Sequence, residues 1–329
     1  MHLLAIPELE DRIADALVRA RTSRPNARSV ARALVAAEAD GLKGHGLSRV
    51  ASYVAQARAG KVDGFAEPVV TRPRPGIVAI DAAHGFAYPA LDAAVAELPG
   101  TARSQGIAAA PIRRSHHCGA AGQPVERLAG QGLLALLFAN TPAAIAPAGG
   151  TRAVFGTNPI AFACPLPGRE PIVVDLALSK VARGNIIAAR QRGEAIPEGW
   201  ALDADGRPTT DPDRALAGFM VPLGDAKGAA LALMVELLAA GLTGSNYAAE
   251  ASSFIDADGA PPGTGQLVIA IDPVAVGGPG AAERFAALAT AIEEQEGARL
   301  PGARRLAARR RASERGVEVP DAVLAELAR

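Results

Sequence analysis

Residues 76–112 read GIVAIDAAHGFAYPALDAAVAELPGTARSQGIAAAPI, and this stretch decides the fold class. The apolar run at 77–80 predicts a strand, 89–105 predicts a helix, and 107–112 predicts a second strand. A strand, a helix and a strand in direct succession indicate an α/β layered core.

The same alternation continues outward on both sides. Further strands are predicted at 133–138, 161–164, 172–174 and 266–271, and further helices at 124–130, 179–190 and 227–242. The ends of the chain are helical: 8–20, 23–40 and 49–59 near the start, and 281–296, 304–314 and 321–328 near the end, the last capped by Asp321. Prolines predict an irregular connection at 68–75, and 194–213 is predicted to be a long loop. We therefore expect an α/β core from 76–276 between helical segments at 1–75 and 277–329; that the two segments form one terminal domain follows only from the resemblance given below.

Composition excludes several classes of protein. The chain has 34 Lys and Arg against 34 Asp and Glu, and 49% of its residues are hydrophobic. This balance argues against a nucleic-acid binder and against a disordered acidic chain. Two cysteines are too few for a disulfide framework and fit a reducing compartment. With neither a signal peptide nor a long uncharged apolar run, we expect a soluble cytoplasmic enzyme with no membrane contact.

The common nucleotide-binding signatures are absent. Gly44-His45-Gly46 is followed by Arg49 where a dinucleotide fingerprint needs glycine, and Lys227 is followed by Gly228 where a P-loop needs serine or threonine. No His-Glu-x-x-His or comparable metal motif occurs, so we expect no metal. The sequence does not predict a standard Rossmann or P-loop protein.

His45 is a candidate acid/base residue. It lies between two glycines just after a helix, and glycines let the backbone approach a ligand closely. Histidine exchanges protons near neutral pH, and Arg49, four residues on, has a guanidinium that can bind a carboxylate with two hydrogen bonds. A surface loop with an incidental histidine is the alternative.

A second histidine segment follows the strand at 107–112. His116 and His117 precede the small residues 119–122 at a strand-to-helix transition, and ligands of α/β proteins bind beyond the carboxyl ends of strands. The amides there are a candidate phosphate site. Two core histidines are the alternative, and Cys118 is interpreted as a small buried hydrophobe.

Other turns carry polar residues of the same kind. They are Thr157 and Asn158, Asp175, the run 183–185, the run 224–228, and Arg304 with Arg305. Three have structural alternatives: Thr157 and Asn158 a self-bonded turn, Asp225 an N-cap, and the arginine pair a solvated helix face.

The order and spacing of several short motifs point to one family. They are AEADG at 37–41, GHGLSR at 44–49, SHHCGAAG at 115–122, FGTNP at 155–159, VDLA at 174–177, GWAL at 199–202, PTTDP at 208–212, KG at 227–228 and LPG at 300–302. Along nearly its whole length the chain resembles the type 2 malate/L-lactate dehydrogenase family. The resemblance implies a non-Rossmann, mixed-sheet α/β core with a helical domain built from both termini, which accounts for the missing glycine fingerprint.

The resemblance also implies residue roles. His45 matches the proton donor and Arg49 the residue that binds the substrate carboxylate, while Thr157, Arg183 and Gly184 match substrate contacts. His117 lines the nicotinamide and has been proposed as the acid/base in some members. The implied cofactor contacts are His117, Cys118, Gly119, Ala120, Ala121, Asp175, Leu176, Ala177, Lys227, Gly228, Gly302, Arg304 and Arg305.

Two positions depart from the imino-acid reductases of the family. Those members have a serine before the proton donor and an aspartate after the Arg-Gly pair, whereas this chain has Gly44 and Asn185. Our first hypothesis is therefore an NAD(P)H-dependent reductase of a small 2-oxo acid of the malate, lactate or sulfolactate type. A cyclic 2-imino-acid reductase, acting on pyrroline- or piperideine-2-carboxylate, and a catalytically silent ligand-binding relative are the alternatives.

The cofactor and the assembly follow from the same resemblance. Family members use NADP or NAD, and Arg304 with Arg305 favours NADP because arginines can bind its 2′-phosphate. The expected partners are a small carboxylate substrate and a second copy of the chain in a homodimer, as in the family.

Overall fold

The computed structural model describes residues 2–328, and a seven-stranded mixed sheet forms its centre. The strands, numbered in chain order, lie side by side as β2 (Val69–Arg74), β3 (Ile77–Asp81), β4 (Ile107–Ser115), β11 (Thr264–Ile271), β5 (Leu134–Ala139), β6 (Ile160–Leu166) and β7 (Arg169–Leu176). Only β3 and β4 run parallel, because the helix between them crosses over the sheet; the other neighbours are antiparallel.

Two helices cover one face of the sheet. They are α4 (Ala87–Gln105) and α5 (Gly122–Ala129), and their apolar side chains pack on small residues of the central strands. Leu98 and Leu128 are fully buried there against Ala110 and Leu137. The small residues let the helices lie close to the sheet, which places the start of α5 at the end of β4.

The opposite face carries a second layer. It contains α6 (Arg183–Arg192), α7 (Pro212–Ala217), α8 (Ala226–Glu236) with a π-helical continuation at Leu237–Gly241, and a small sheet of β8 (Ala201–Leu202), β9 (Pro208–Thr209) and β10 (Phe219–Met220). Val235 and Ala239 of this layer are fully buried with Leu267 of the central sheet.

The chain ends meet in a helical cluster. It contains α1 (Ile6–Arg19), α2 (Arg24–Ala39), α3 (Val50–Ala59), α12 (Asp321–Leu327), and the antiparallel pair β1 (His2–Leu4) and β12 (Val317–Val319). Between β11 and this cluster run α9 (Pro273–Gly277), α10 (Ala281–Glu293) and α11 (Ala303–Arg315). The side chain of Ser23 caps α2 by accepting from the N–H of Asn26.

Four local predictions were wrong. The segment 68–75 contains strand β2, whose Pro73 is tolerated because β2 is an edge strand. The predicted loop 194–213 holds β8 and β9, which are too short to show a period in the sequence. The helix predicted at 179–190 begins only at Arg183, and Asp321 is the first residue of α12, not its cap.

The two-domain division stays a prediction, with two structural facts beside it. Strand β2, within the predicted terminal segment, belongs to the central sheet, and α10 packs against β6. The outermost residues of the two terminal segments, Met1 and Arg329, lie outside the described residues. Among residues 2–328, every helix is too short or too polar to cross a bilayer.

Four charged side chains join α11 to the rest of the protein. Arg305 and Arg309 of α11 both bond to Asp40, at the end of α2, and to Glu126 of α5. Arg309 Nε lies 2.7 Å from Asp40 Oδ1, and Arg305 Nη1 lies 2.6 Å from Glu126 Oε2. The Asp40 side chain is 0% exposed. We call these residues the four-charge cluster.

Replacing Asp40 by Asn should destabilise the protein by about 3–5 kcal/mol, because it leaves two arginines sharing one buried carboxylate. Urea unfolding followed by circular dichroism measures the change. Asp92 is the matched control, since it also pairs with two arginines, Arg32 and Arg127, but at the surface. Asp92→Asn should cost only about 0–1 kcal/mol. Equal losses in both variants would contradict a stabilising role for burial of the cluster.

Candidate active site

A cleft of about 870 Å³ lies between the helical cluster and the carboxyl end of β4. Its walls come from distant parts of the chain: residues 40–45, 117–123, 173–177 and 299–308, together with Thr141 and Thr157. This volume lies within the range typical of small-molecule and cofactor sites. Glycine and alanine make up much of the wall, so a ligand can lie close to the backbone.

His45 reaches the cleft from a pair of tight turns. Residues Lys43–His45 and Leu47–Arg49 each form one turn of 3-10 helix, joined at Gly46. A Cβ on Gly46 would lie 2.2 Å from Oε2 of Glu38, so only glycine fits there. The buried Glu38 carboxylate accepts from the N–H of Leu47 and from Lys43 Nζ, which fixes the turns against α2.

His117 lies directly across from His45. Their rings stack with centroids 5.6 Å apart and planes 15° apart. Nδ1 of His117 lies 2.6 Å from the hydroxyl of Tyr53, which in turn lies 3.1 Å from the hydroxyl of Tyr88. The structure therefore brings together the two histidines that the sequence singled out.

The neighbouring His116 faces away from the cleft. Its Nε2 lies 2.9 Å from Gln56 Oε1, and Gln56 donates from its own amide to the carbonyl of Phe254. His116 is 1% exposed and does not line the cleft. Of the adjacent pair, His116 is the core histidine and His117 is the one available to a ligand.

Burial and one arginine keep these histidines neutral. Burial lowers the pKa of His45 to about 4, with Arg49 adding to the effect, and it lowers the pKa of His117 well below its usual value for the same two leading reasons. Arg49 bonds through Nε to the carbonyl of Gly44, and its remaining guanidinium nitrogens have no partner within residues 2–328. No carboxylate is among the groups that shift these two pKa values. The two histidines therefore lie beside the unpaired positive charge of Arg49.

A buried carboxylate fixes the turns on the opposite wall of the cleft. Glu236 of α8 accepts from the amides of Asn140 and Asn158 and from the N–H of Ala248. Burial raises the pKa of Glu236, and these donors oppose the shift. They fix the turns that place Thr141 and Thr157 in the cleft, where the hydroxyl of Thr141 accepts from the N–H of Thr157 at 2.9 Å.

Only some of the site residues named from the sequence line the cleft. Cleft-lining residues among those named from the sequence are His45, His117, Cys118, Gly119, Ala120, Thr157, Asp175, Leu176, Ala177, Gly302, Arg304 and Arg305. The others lie outside its lining: Arg49, Ala121, Arg183, Gly184, Lys227 and Gly228. Arg183 begins α6 directly after Ala182, which does line the cleft, whereas Lys227 is exposed at the start of α8.

Two of these residues have partners that limit their roles. Asp175 Oδ2 accepts from the N–H of Gly122 at 2.8 Å, so the first amide of α5 is already bonded. Arg305 is held in the four-charge cluster, while Arg304 has no partner within residues 2–328. Asn185 lines a separate shallow hollow of about 260 Å³, away from His45.

Sequence reasoning missed several residues that shape the site. Tyr53 and Tyr88 support His117 from behind, Glu236 fixes the threonine turns, and Arg299 lines the cleft. Two of the 3 tyrosines of the chain lie at His117, and only the folded structure shows this placement. No spacing rule connects Tyr53 with His117.

Comparison with known proteins decides the family. A family profile described as malate/L-lactate dehydrogenase matches residues 4–328. The chain belongs to this family. A curated member from Chromohalobacter salexigens, named (2R)-3-sulfolactate dehydrogenase (NADP(+)), is 52% identical over 326 residues, 99% of this chain and 97% of the relative. A Delta(1)-pyrroline-2-carboxylate reductase from Ancylobacter novellus is 41% identical over 98% of this chain and 96% of its own length.

Solved structures agree with this assignment to the malate/L-lactate dehydrogenase family. Delta1-piperideine-2-carboxylate reductase from Pseudomonas syringae has a TM-score of 0.93 at 41% identity, covering 99% of both chains. Sulfolactate dehydrogenase from Methanocaldococcus jannaschii has a TM-score of 0.89 at 28% identity, covering 99% of this chain and 95% of the other. The predicted family, the mixed-sheet α/β fold and the assignment as an oxidoreductase are confirmed.

Removing the charge of Arg49 should raise the pKa of His45 from about 4 toward its unperturbed value, because Arg49 opposes protonation of the ring. In the wild-type dehydrogenase, His45 is neutral at pH 7 and gains its proton only as the pH falls through about 4. NMR titration of the Arg49→Met variant measures the shift. Arg58→Met is the matched control, since Arg58 is exposed on α3. A midpoint for His45 that stays the same in Arg49→Met would contradict this electrostatic coupling.

Proposed function

We propose that this enzyme is an NADP-dependent oxidoreductase that interconverts a dianionic 2-oxo acid of the 3-sulfopyruvate type and its 2-hydroxy acid. The observation that carries the proposal is the unpaired guanidinium of Arg49 beside two neutral histidines, with no carboxylate shifting their pKa values. Such a site attracts anions. The 52% identical relative is named for (2R)-3-sulfolactate and NADP, which supports both parts of the proposal.

Arg49 and His45 have different roles toward the substrate. The guanidinium of Arg49 binds the carboxylate with a pair of hydrogen bonds. Burial and the Arg49 charge both lower the pKa of His45, and the bound carboxylate offsets the second of these. His45 then gains a proton and gives it to the carbonyl oxygen as that oxygen becomes an alcohol. NADP, when bound in the cleft, would supply the hydride that the carbonyl carbon receives. Proton transfer by a positioned side chain typically contributes about 100- to 10,000-fold to the rate.

The cleft fits a dinucleotide. Its volume is about 870 Å³, and the start of α11 presents backbone amides at Gly302 and Ala303 beside the unpartnered Arg304. A helix N-terminus with an adjacent arginine is suited to a phosphate group. We assign the 2′-phosphate of NADP to Arg304, because Arg305 is already bonded to two carboxylates.

Cyclic 2-imino acids are the second candidate class. The relative from Ancylobacter novellus is named for such a substrate, so the scaffold of the family is compatible with imine reduction. Against it, neither ring nitrogen of His45 has a partner within residues 2–328, and Gly44 supplies no hydroxyl beside it. We therefore favour the open-chain oxo acid.

Steady-state assays with NADPH and NADH should separate these candidates. The panel contains 3-sulfopyruvate, oxaloacetate, pyruvate and the two cyclic imino acids. We expect the highest kcat/KM with 3-sulfopyruvate and NADPH. It should exceed the kcat/KM with pyruvate by about 10- to 150-fold, which corresponds to the free energy of one hydrogen bond to a charged group. Preference for a cyclic imine would support the second class, and absence of turnover across the panel would favour a silent ligand-binding relative.

We assign the binding of the second anionic group of the substrate to Arg183, and a variant tests this assignment. Arg183 is half-buried at the start of α6, and burial lowers its pKa. In the same assay, Arg183→Met should remove most of the preference for 3-sulfopyruvate while leaving pyruvate turnover nearly unchanged. Arg190→Met, on the exposed side of the same helix, should change neither. Equal loss with both substrates would contradict this assignment.

We also propose that the enzyme is a cytoplasmic homodimer. Both cysteines, Cys118 and Cys164, are buried and unpaired, which suits a reducing compartment. The α8 face is exposed and apolar; it consists of Leu231, Leu233, Met234, Leu237 and Leu242. The only charged residue of 229–242 is Glu236, which points inward, so this uncharged face suits pairing with its own copy about a two-fold axis.

Placing charges on the α8 face should give monomers. Light scattering on a sizing column is expected to give twice the 33.4 kDa chain mass for the wild-type enzyme and the single chain mass for Met234→Glu combined with Leu237→Glu. Leu288→Glu is the matched control, because Leu288 is an exposed leucine on α10, away from this face. A wild-type monomer, or a double variant that stays dimeric, would refute this interface.

A further inference from the structure

We propose that the Tyr53 hydroxyl, which lies within hydrogen-bond distance of the Tyr88 hydroxyl, fixes the tautomer of His117, so that Nε2 carries the ring proton and acts as a hydrogen-bond donor in the cleft. Tyr53 is then a positioning residue that acts through His117. The tautomer is a property of the enzyme without substrate. Only the role of the Nε2–H donor in the reaction rests on the proposed function.

The hydroxyl contacts decide the direction of the hydrogen bonds. The Tyr53 hydroxyl lies 2.6 Å from His117 Nδ1 and 3.1 Å from the Tyr88 hydroxyl, and within residues 2–328 these are the only partners of the two hydroxyls. If Tyr88 donates to Tyr53 and Tyr53 donates to Nδ1, both hydroxyl protons are bonded. In the reverse order Nδ1–H donates to Tyr53, and the buried Tyr88 proton has no acceptor. An unsatisfied buried donor is costly, so the first order is favoured.

The protonation states agree with this order. Burial raises the pKa of Tyr53 to about 12, so its phenol keeps the proton that it donates. Burial also lowers the pKa of His117 well below its usual value, so the ring is neutral. A neutral imidazole whose Nδ1 accepts a hydrogen bond carries its one proton on Nε2.

The position of Nε2 makes this proton available. His117 lines the cleft, and its Nε2 has no partner within residues 2–328. The tyrosines also hold the neighbouring backbone: a Cβ on Gly119 would lie 2.5 Å from the Tyr88 hydroxyl. His117 therefore presents a fixed N–H to the bound ligand, while His45, stacked on it, remains the residue that gives up a proton.

The tautomer can be read directly from nitrogen chemical shifts. The enzyme with ¹⁵N-labelled histidine has only five imidazoles, each with two ring-nitrogen signals, and His117→Gln identifies the pair of signals that belongs to His117. Near pH 7.5, without substrate, we expect a protonated Nε2 and an unprotonated Nδ1 in the wild type and in Tyr88→Phe, which keeps the Tyr53 hydroxyl. Tyr53→Phe should lose this preference. A wild-type signal from Nδ1–H, or a Tyr53→Phe signal identical to the wild type, would overturn the proposal.

Kinetics separate this role from a merely structural one. Tyr53→Phe should lower kcat about tenfold, with KM values within about twofold, because it leaves the binding groups in place. In a His117→Gln background the same change should cost little, since the glutamine amide donates from the place of Nε2 whatever Tyr53 does. An equal loss in both backgrounds would refute the proposal. The NMR result needs no substrate, so a failure of the proposed reaction leaves it intact and separately testable.

Discussion

The cleft depends on the four-charge cluster. Its four members come from α2, α5 and α11, and the bond between Asp40 and Arg309 joins positions 269 residues apart in the chain. Two positive and two negative charges balance there, so a fully buried carboxylate is compensated. Because α11 carries the wall at 299–308, this cluster sets the distance between the C-terminal segment and the histidines.

A second constraint is electrostatic. Burial makes protonation of His45 and His117 unfavourable, and the unpaired Arg49 adds to this. A further positive charge is therefore disfavoured here, and an anion bound to Arg49 would offset the part of this penalty that Arg49 contributes. In the proposed reaction, this links proton uptake by His45 to binding of the substrate carboxylate.

Helix α8 links the exposed apolar face to the wall of the cleft through Glu236. One side of α8 carries the exposed apolar face, and the other side carries this buried carboxylate, which holds the turns with Thr141 and Thr157. Its donors come from three different turns, and an acceptor-only group suits all of them. The helix becomes π-helical directly after Glu236, a local irregularity that is frequent at functional sites.

Much of the fold follows from the sequence, and most errors have a physical cause. Strands such as β4 and helices such as α4 were predicted because runs of apolar residues and helical spacing are local signals. Strand β2 was missed because its proline, Pro73, is unfavourable in a central strand but tolerated at an edge, and an edge is defined only by the assembled sheet. Arg304 and Arg305 are equivalent in sequence; the folded chain pairs one and leaves the other free.

The sequence by itself determined the family, the α/β class and the candidate histidines, because these depend on residue types and their spacing along the chain. Only the tertiary structure decided which of two adjacent histidines faces the cleft, which arginine remains unpaired, and that Tyr53 contacts His117. These outcomes depend on hydrogen bonds and burial between residues far apart in sequence, such as the 64 positions that separate Tyr53 from His117. No local pattern encodes that distance, since it is set by how the helices pack on the sheet.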